Sequence, residues 1–232
     1  KTFTVARLLV TLQAVSDTPL TIAMAAPTGK AKQRLLESIS HAKLQLQQQG
    51  IDLALINSIP NNAHTLHGLL GLRPNKQYVK HNQSNPLNID LLLVDEVSMV
   101  DLPMMARVLD ALPHHCRLVL VGDAQQLPSV AAGSILADIP ASAISYLHLS
   151  RRFDGAGGIG VLAQQVMHNL AQDSWQQLKQ THVEASPQLQ LVDDEMYGQW
   201  LQDMCKQYFV PMLKADTLQQ AFVCLAQFRI LA

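Results

Sequence analysis

The stretch that decides the fold is Leu91-Leu92-Leu93-Val94-Asp95-Glu96-Val97-Ser98-Met99. Four consecutive branched apolar residues show no polar alternation, so a strand here is covered on both faces, as in a parallel α/β sheet. The run stops at two adjacent carboxylates. A strand that ends in acid carries charge to its carboxyl tip, the edge at which open α/β sheets bind ligands. There one carboxylate can hold a hard cation such as Mg²⁺ through oxygen, while its neighbour polarises water. On these nine residues alone, a strand running into a solvated turn fits as well; the neighbouring motifs separate the two readings.

Working outward, residues 20–26 read as a short buried strand whose tip carries Pro27-Thr28-Gly29-Lys30, a turn opening a helix that runs to about residue 49. Before it, Val5, Leu8, Leu9, Leu12 and Val15 recur at helical spacing and predict one apolar stripe. Residues 65–71 form a compact turn and helix, and the polar residues 73–88 form a small insertion. After the central run, Pro103 suits the first turn of a helix over 102–112. Arg117-Leu118-Val119-Leu120-Val121-Gly122-Asp123 repeats the theme of an apolar strand with a polar tip, and a helix containing Ile135 and Leu136 follows. Strand and helix alternate with ligand-type loops at the strand tips, the doubly wound pattern.

The pattern loosens near residue 140. We place a boundary there, giving a first domain over 1–141 and the start of a second, incomplete one over 142–232. The second part is read as strands at 145–149 and 189–192, a glycine-rich turn into a helix over 161–171, further helix to residue 208, and a last helix at 218–228.

The bulk composition excludes several classes. Of 232 residues, 48% are hydrophobic and 15% charged, which describes a buried core and not a disordered chain. A net charge of −1 rules out bulk attraction to nucleic acid, so any such binding follows a local path. The three cysteines (Cys116, Cys205 and Cys224) have no metal-type spacing and read as reduced thiols of a cytoplasmic protein. No apolar run reaches membrane-spanning length. Arg7 and Gln13 interrupt the opening segment, which argues against a secretory signal. Both ends stop in mid-pattern, so the expectation is a piece of a longer protein.

The motifs carry the chemistry. Lys-Thr at the head of an amphipathic helix is how a phosphate loop ends, with the lysine on the terminal phosphates and the threonine hydroxyl on Mg²⁺; Lys1 and Thr2 stand in that place. Asp95 then holds the Mg²⁺, and Glu96 orients or deprotonates the attacking water. Gln126, in the loop past the Gly122-Asp123 tip, can hydrogen-bond the terminal phosphate; an ordinary polar loop is its plain alternative. Pro27, Thr28, Gly29, Lys30, Thr65 and His67 offer the small residues, hydroxyls and amides that suit sugar-phosphate contacts. A packed or capping histidine is the alternative for His67. Arg151-Arg152, just past the boundary, is either a surface pair or the source of an arginine for a γ phosphate.

Together these residues resemble superfamily 1 DNA helicases of the RecD type. Lys1-Thr2 resembles the end of motif I, and Ala25-Ala26-Pro27-Thr28-Gly29-Lys30-Ala31 motif Ia, with Thr65-Leu66-His67 matching the element after it. Val94-Asp95-Glu96-Val97-Ser98-Met99-Val100-Asp101 resembles motif II, and Gly122-Asp123-Ala124-Gln125-Gln126-Leu127 motif III. Ser150-Arg151-Arg152-Phe153 is similar to the family's Ser-Tyr-Arg-Phe, with Arg151 in the tyrosine's place; Arg152 is then the phosphate sensor. The resemblance is dense to about residue 153 and thin beyond it.

The resemblance implies a RecA-like P-loop NTPase fold with a mostly parallel sheet, followed by part of a second RecA-like domain. It implies ATP and Mg²⁺ as ligands, with Lys1, Thr2, Asp95, Gln126 and Arg152 around the nucleotide and Thr2 and Asp95 on the metal. It further implies 5′ to 3′ movement on single-stranded DNA, and membership of an exodeoxyribonuclease V complex with two partner subunits. Its phosphate-loop glycines would precede Lys1, so this 232-residue piece alone is expected to hydrolyse little ATP. A stand-alone RecD-like or other superfamily 1 helicase, and a non-catalytic nucleotide-binding scaffold subunit, are the alternative readings.

Overall fold

In the computed structural model, β3 (Leu91–Asp95) is an inner strand of a four-stranded, fully parallel sheet ordered β2-β1-β3-β4. Residues 2–72, 79–123, 135–147, 158–183 and 189–228 are described. The other strands are β1 (Ile22–Ala26), β2 (His64–Thr65) and β4 (Arg117–Val121). Leu91, Leu92, Leu93 and Val94 have no solvent exposure at all. The pleat explains why: Leu91 and Leu93 enter one hydrophobic cluster, Leu92 and Val94 the other. Each buried side chain of this size stabilises the fold by about 1.5–3 kcal/mol, so the four-residue run anchors both halves of the core.

Helices cover each face. On one lie α1 (Thr2–Ala14), α2 (Gly29–Gln48) and α3 (Leu53–Ser58), through Leu9, Leu35, Ile39, Leu46 and Ile56. On the other lie α4 (Leu66–Leu70) and α5 (Leu102–Ala111), through Leu66, Leu70, Met105 and Val108. Asp101 caps α5, its Oδ1 accepting from the Met104 amide at 2.7 Å, with proline in the first turn. The predicted stripe on α1 needs correction. Val5, Ala6, Leu9 and Val10 are its buried apolar residues, while Leu8 is 41% exposed and Val15 lies past the helix end, exposed. Ala6 is small and lies in the core cluster that α1 shares with α2 and α3, so the helix turns that side inward.

The chain divides into two compact units, Lys1–Leu147 and His148–Ala232. The first also contains α6 (Ile135–Asp138). The second contains α7 (Gly158–Met167), α8 (Ala171–Val183), α9 (Asp194–Leu213) and α10 (Leu218–Gln227). Phe228 stacks on Tyr208 with centroids 4.9 Å apart and meets Phe209 and Trp200 edge-on, which closes α9 against the end of α10. The strand expected at 189–192 is not formed, nor is one at 145–147; residues 148–149 lie outside the described residues. A strand needs a neighbour to hydrogen-bond, and 189–192 lie in the second unit, which is helical among the described residues.

At the amino edge of the sheet, Asp90 gathers three strand beginnings. Its Oδ2 accepts from the Thr21 amide at 2.7 Å, its Oδ1 lies 3.3 Å from His115 Nε2, and its carbonyl accepts from the Arg117 amide. The Thr21 amide bond, and then the nearby His115, hold the Asp90 carboxyl below its usual pKa. A depressed carboxylate stabilises the fold above its unfolded pKa, and that stability is lost as pH falls through the folded value. We therefore expect Asp90→Asn to lower the melting temperature at neutral pH, with the gap to wild type closing below about pH 4. Thermal melts across pH check this; a gap that stays constant into acid contradicts it.

Candidate functional site

The four strand tips lie in a row along the carboxyl edge of the sheet. Register fixes their order: Ala26 pairs with Thr65, Ala25 with Val94, and Asp95 with Val121. Reading across, Thr65 comes first, then the 27–30 loop, then Asp95 and Glu96, then Gly122. Adjacent strands stand about 4.8 Å apart, so the hydroxyl-bearing and acid-bearing tips are near neighbours. Residues far apart in sequence thus share one edge.

Asp95 ends β3 and is half-buried; Glu96, also half-buried, follows it. Glu96 has φ 54° and ψ 44°, a left-handed conformation that costs a residue with a Cβ roughly 1–2 kcal/mol. It leads into a single 3₁₀ turn, Val97–Met99, whose Val97 and Ser98 are buried. The chain therefore bends sharply just where the two carboxylates sit, with apolar anchors on both sides. Among the described residues no three His, Cys, Asp or Glu side chains cluster as a metal cage. Asp95 fits Mg²⁺ instead, an ion held by one or two carboxylates with water and substrate phosphates completing its shell.

On the other half of the edge, both predicted threonines cap helices. Thr28 Oγ1 accepts from the Ala31 amide at 3.1 Å at the head of α2, and Thr65 Oγ1 from the Gly68 amide at 3.1 Å at the head of α4. Each hydroxyl keeps its proton for donation outward. Pro27 is half-buried, and Gly29, Lys30 and His67 are exposed. The exposure of His67 removes the packed-histidine alternative.

Lys1, Gln126, Arg151 and Arg152 lie outside the described residues, as does the side chain of Thr2, although Thr2 begins α1. Sequence reasoning missed two features. One is the left-handed backbone at Glu96, which glutamate does not favour. The other is Lys43, whose Nζ donates to the Ile59 carbonyl and to Asn61 Oδ1, with burial lowering its pKa. Neither has a local sequence signal.

The family model described as an AAA domain matches residues 1–132. The RecBCD enzyme subunit RecD of Haemophilus influenzae is 40% identical over 207 residues, covering 75% of this chain and 32% of that protein. The RecBCD enzyme subunit RecD of Mycolicibacterium smegmatis is 44% identical over 176 residues, covering 72% and 30%. The ATP-dependent RecD2 DNA helicase of Deinococcus radiodurans is 39% identical over 127 residues, covering 53% and 15%. The chain spans about a third of the length of the first two relatives.

The strain at Glu96 yields a stability test. Glu96→Ala and Glu96→Gly both remove the carboxylate, but only glycine adopts φ 54° freely. The glycine variant should therefore be the more stable of the two, by about 1 kcal/mol in denaturant unfolding, against the ordinary order. An alanine variant of equal or greater stability contradicts it.

Proposed function

We propose that this chain, which belongs to the AAA domain family and is of the RecD type, is part of an ATP-dependent DNA helicase. It moves 5′ to 3′ on single-stranded DNA, as a subunit of a RecBCD-type recombinational repair complex with two partner subunits. The observation that carries the reading is the single row of tips, in which Asp95 and Glu96 stand beside the 27–30 loop, with Thr65 next along. The RecD and RecD2 relatives support the helicase assignment. The three free cysteines suit a reducing cytoplasm. No helix among the described residues is long and apolar enough to cross a membrane.

The chemistry follows from the placement. Asp95 would hold Mg²⁺ on ATP, where the ion would supply neutralisation of charge on the phosphates. Glu96, aimed by its left-handed backbone, orients the attacking water and takes its proton. Lys1, Thr2, Gln126 and Arg152 are assigned to the phosphates and their metal on motif alone. Loss of the terminal phosphate releases the contacts it made, and the strand tips carry the change along the edge to residues 27–30, Thr65 and His67 on DNA.

In the intact protein, Glu96→Gln should bind ATP with near-normal affinity. It should lose DNA-stimulated hydrolysis by about 100-fold or more, the scale of removing a general base. Turnover within a few-fold of wild type would take Glu96 out of its role, and absence of DNA stimulation in the wild type would favour a scaffold subunit. Lys30→Ala should weaken single-stranded DNA binding equally across sequences and reduce the slope of log affinity against log salt by about 0.7, one phosphate contact. An unchanged slope would mean that Lys30 faces solvent.

A further inference from the structure

We propose that Lys43 is a positioning residue that joins the two DNA loops into one mechanical unit, by tying α2 to the segment that delivers Thr65 and His67. The proposal deepens the reading of this edge as a single-stranded DNA surface and rests on it.

Helix α2 carries residues 27–30 at its head and Lys43 roughly four turns further down. From there the Lys43 ammonium donates to the Ile59 carbonyl and, at 2.6 Å, to Asn61 Oδ1. Ile59 is fully buried, and Pro60 after it restricts the backbone to extended geometry. Past Asn61, Ala63 is buried, and His64 and Thr65 pair with Ala25 and Ala26. The path from Lys43's acceptors to Thr65 is therefore short and held at both ends.

Two features set this contact apart from an ordinary surface lysine. Lys43 is half-buried, and its ammonium donates to two protein acceptors, one of them a main-chain carbonyl. Both acceptors lie on the single connection that enters β2, and none on α3 itself. A displacement of α2 thus moves the 27–30 loop directly and the Thr65–His67 turn through Lys43. Without the lysine, the second loop still follows α2 through the short strand β2 and through Ile59 and Ala63, which share a core cluster with Ile39, Ala42 and Leu46; the lysine adds the polar tie to that apolar packing.

The test uses Lys43→Met, which keeps the aliphatic stem, alongside Lys43→Arg and Asn61→Ala, all in the intact protein. Amide hydrogen exchange reads the tie without reference to DNA: exchange over residues 62–68 should quicken in Lys43→Met and stay near wild type in Lys43→Arg. DNA-stimulated ATPase then reads function. The single-stranded DNA concentration for half-maximal turnover should rise about fivefold in Lys43→Met, the worth of one net hydrogen bond, with kcat at saturating DNA and KM for ATP within twofold. Asn61→Ala should show a smaller rise in the same direction and serves if Lys43→Met does not fold.

Unchanged exchange over 62–68 overturns the tie. Faster exchange with unchanged DNA dependence overturns the coupling and leaves Lys43 as a structural staple. A wild-type protein with no DNA stimulation defeats the helicase reading, and with it the coupling, whatever the exchange data show.

Discussion

The constraint on which the rest depends is the depth at which β3 sits in the sheet. Its four apolar residues are shared between two cores, so the strand is gripped from both faces. Apolar burial by itself does not fix register here, because a slip of one residue exchanges one buried face for another. Asp95 does fix it. Sliding the strand back by one residue would draw its carboxylate into the fully buried place of Val94, at a cost of several kcal/mol for an uncompensated charge. Sliding it forward would draw the Asp90 carboxylate into the fully buried place of Leu91 and away from the Thr21 amide. The acid pair is therefore held at the carboxyl edge by the same physics that builds the sheet.

Given that depth, the neighbouring tips follow from pairing. Ala25 opposite Val94 places the 27–30 loop beside the acids, and Ala26 opposite Thr65 places the next turn beside that loop. The two threonines begin helices, and their lone pairs are already engaged by the Ala31 and Gly68 amides. A phosphate oxygen would accept the hydroxyl proton, which the cap bond leaves available. Structural capping and the proposed DNA contact thus use different halves of the same group. Removing either hydroxyl would disturb both, which is why Lys30 and Lys43 separate binding from folding more cleanly.

What was legible in the sequence was what local chemistry encodes. The runs at 91–95 and 117–121, the turn at 27–30 and the helix after Asp101 each carry their own periodicity, cap or proline. The parallel sheet with helices on both faces followed from the absence of alternation in the central run. The face of α1 was misread because Ala6 ranks low as a hydrophobe yet is fully buried; its size matters more than its hydropathy. Residues 189–192 were misread because a Leu-Gln-Leu-Val pattern carries no information about whether a partner strand exists. The Lys43 contact joins residues sixteen and eighteen apart in sequence and depends on how α3 folds back, which no local pattern reports.

The bend at Glu96 shows how the two acid-bearing tips act as one piece. Upstream, Leu91 to Val94 fix the chain; downstream, Val97 and Val100 are buried in the second core. One residue must reverse the chain between these anchors, and it adopts the left-handed conformation although it is not glycine. At the next tip, a Cβ on Gly122 would lie 2.9 Å from Leu136 Cδ1 and 3.4 Å from the Ser98 amide nitrogen, so β4 leaves the sheet pressed against the turn that follows Glu96. The space a side chain at 122 would need is thus taken by the Leu136 side chain and the Ser98 backbone. The geometry of the proposed base therefore depends on its neighbour strand as well as its own, because any side chain at 122 would press on Leu136 and on the turn that follows Glu96.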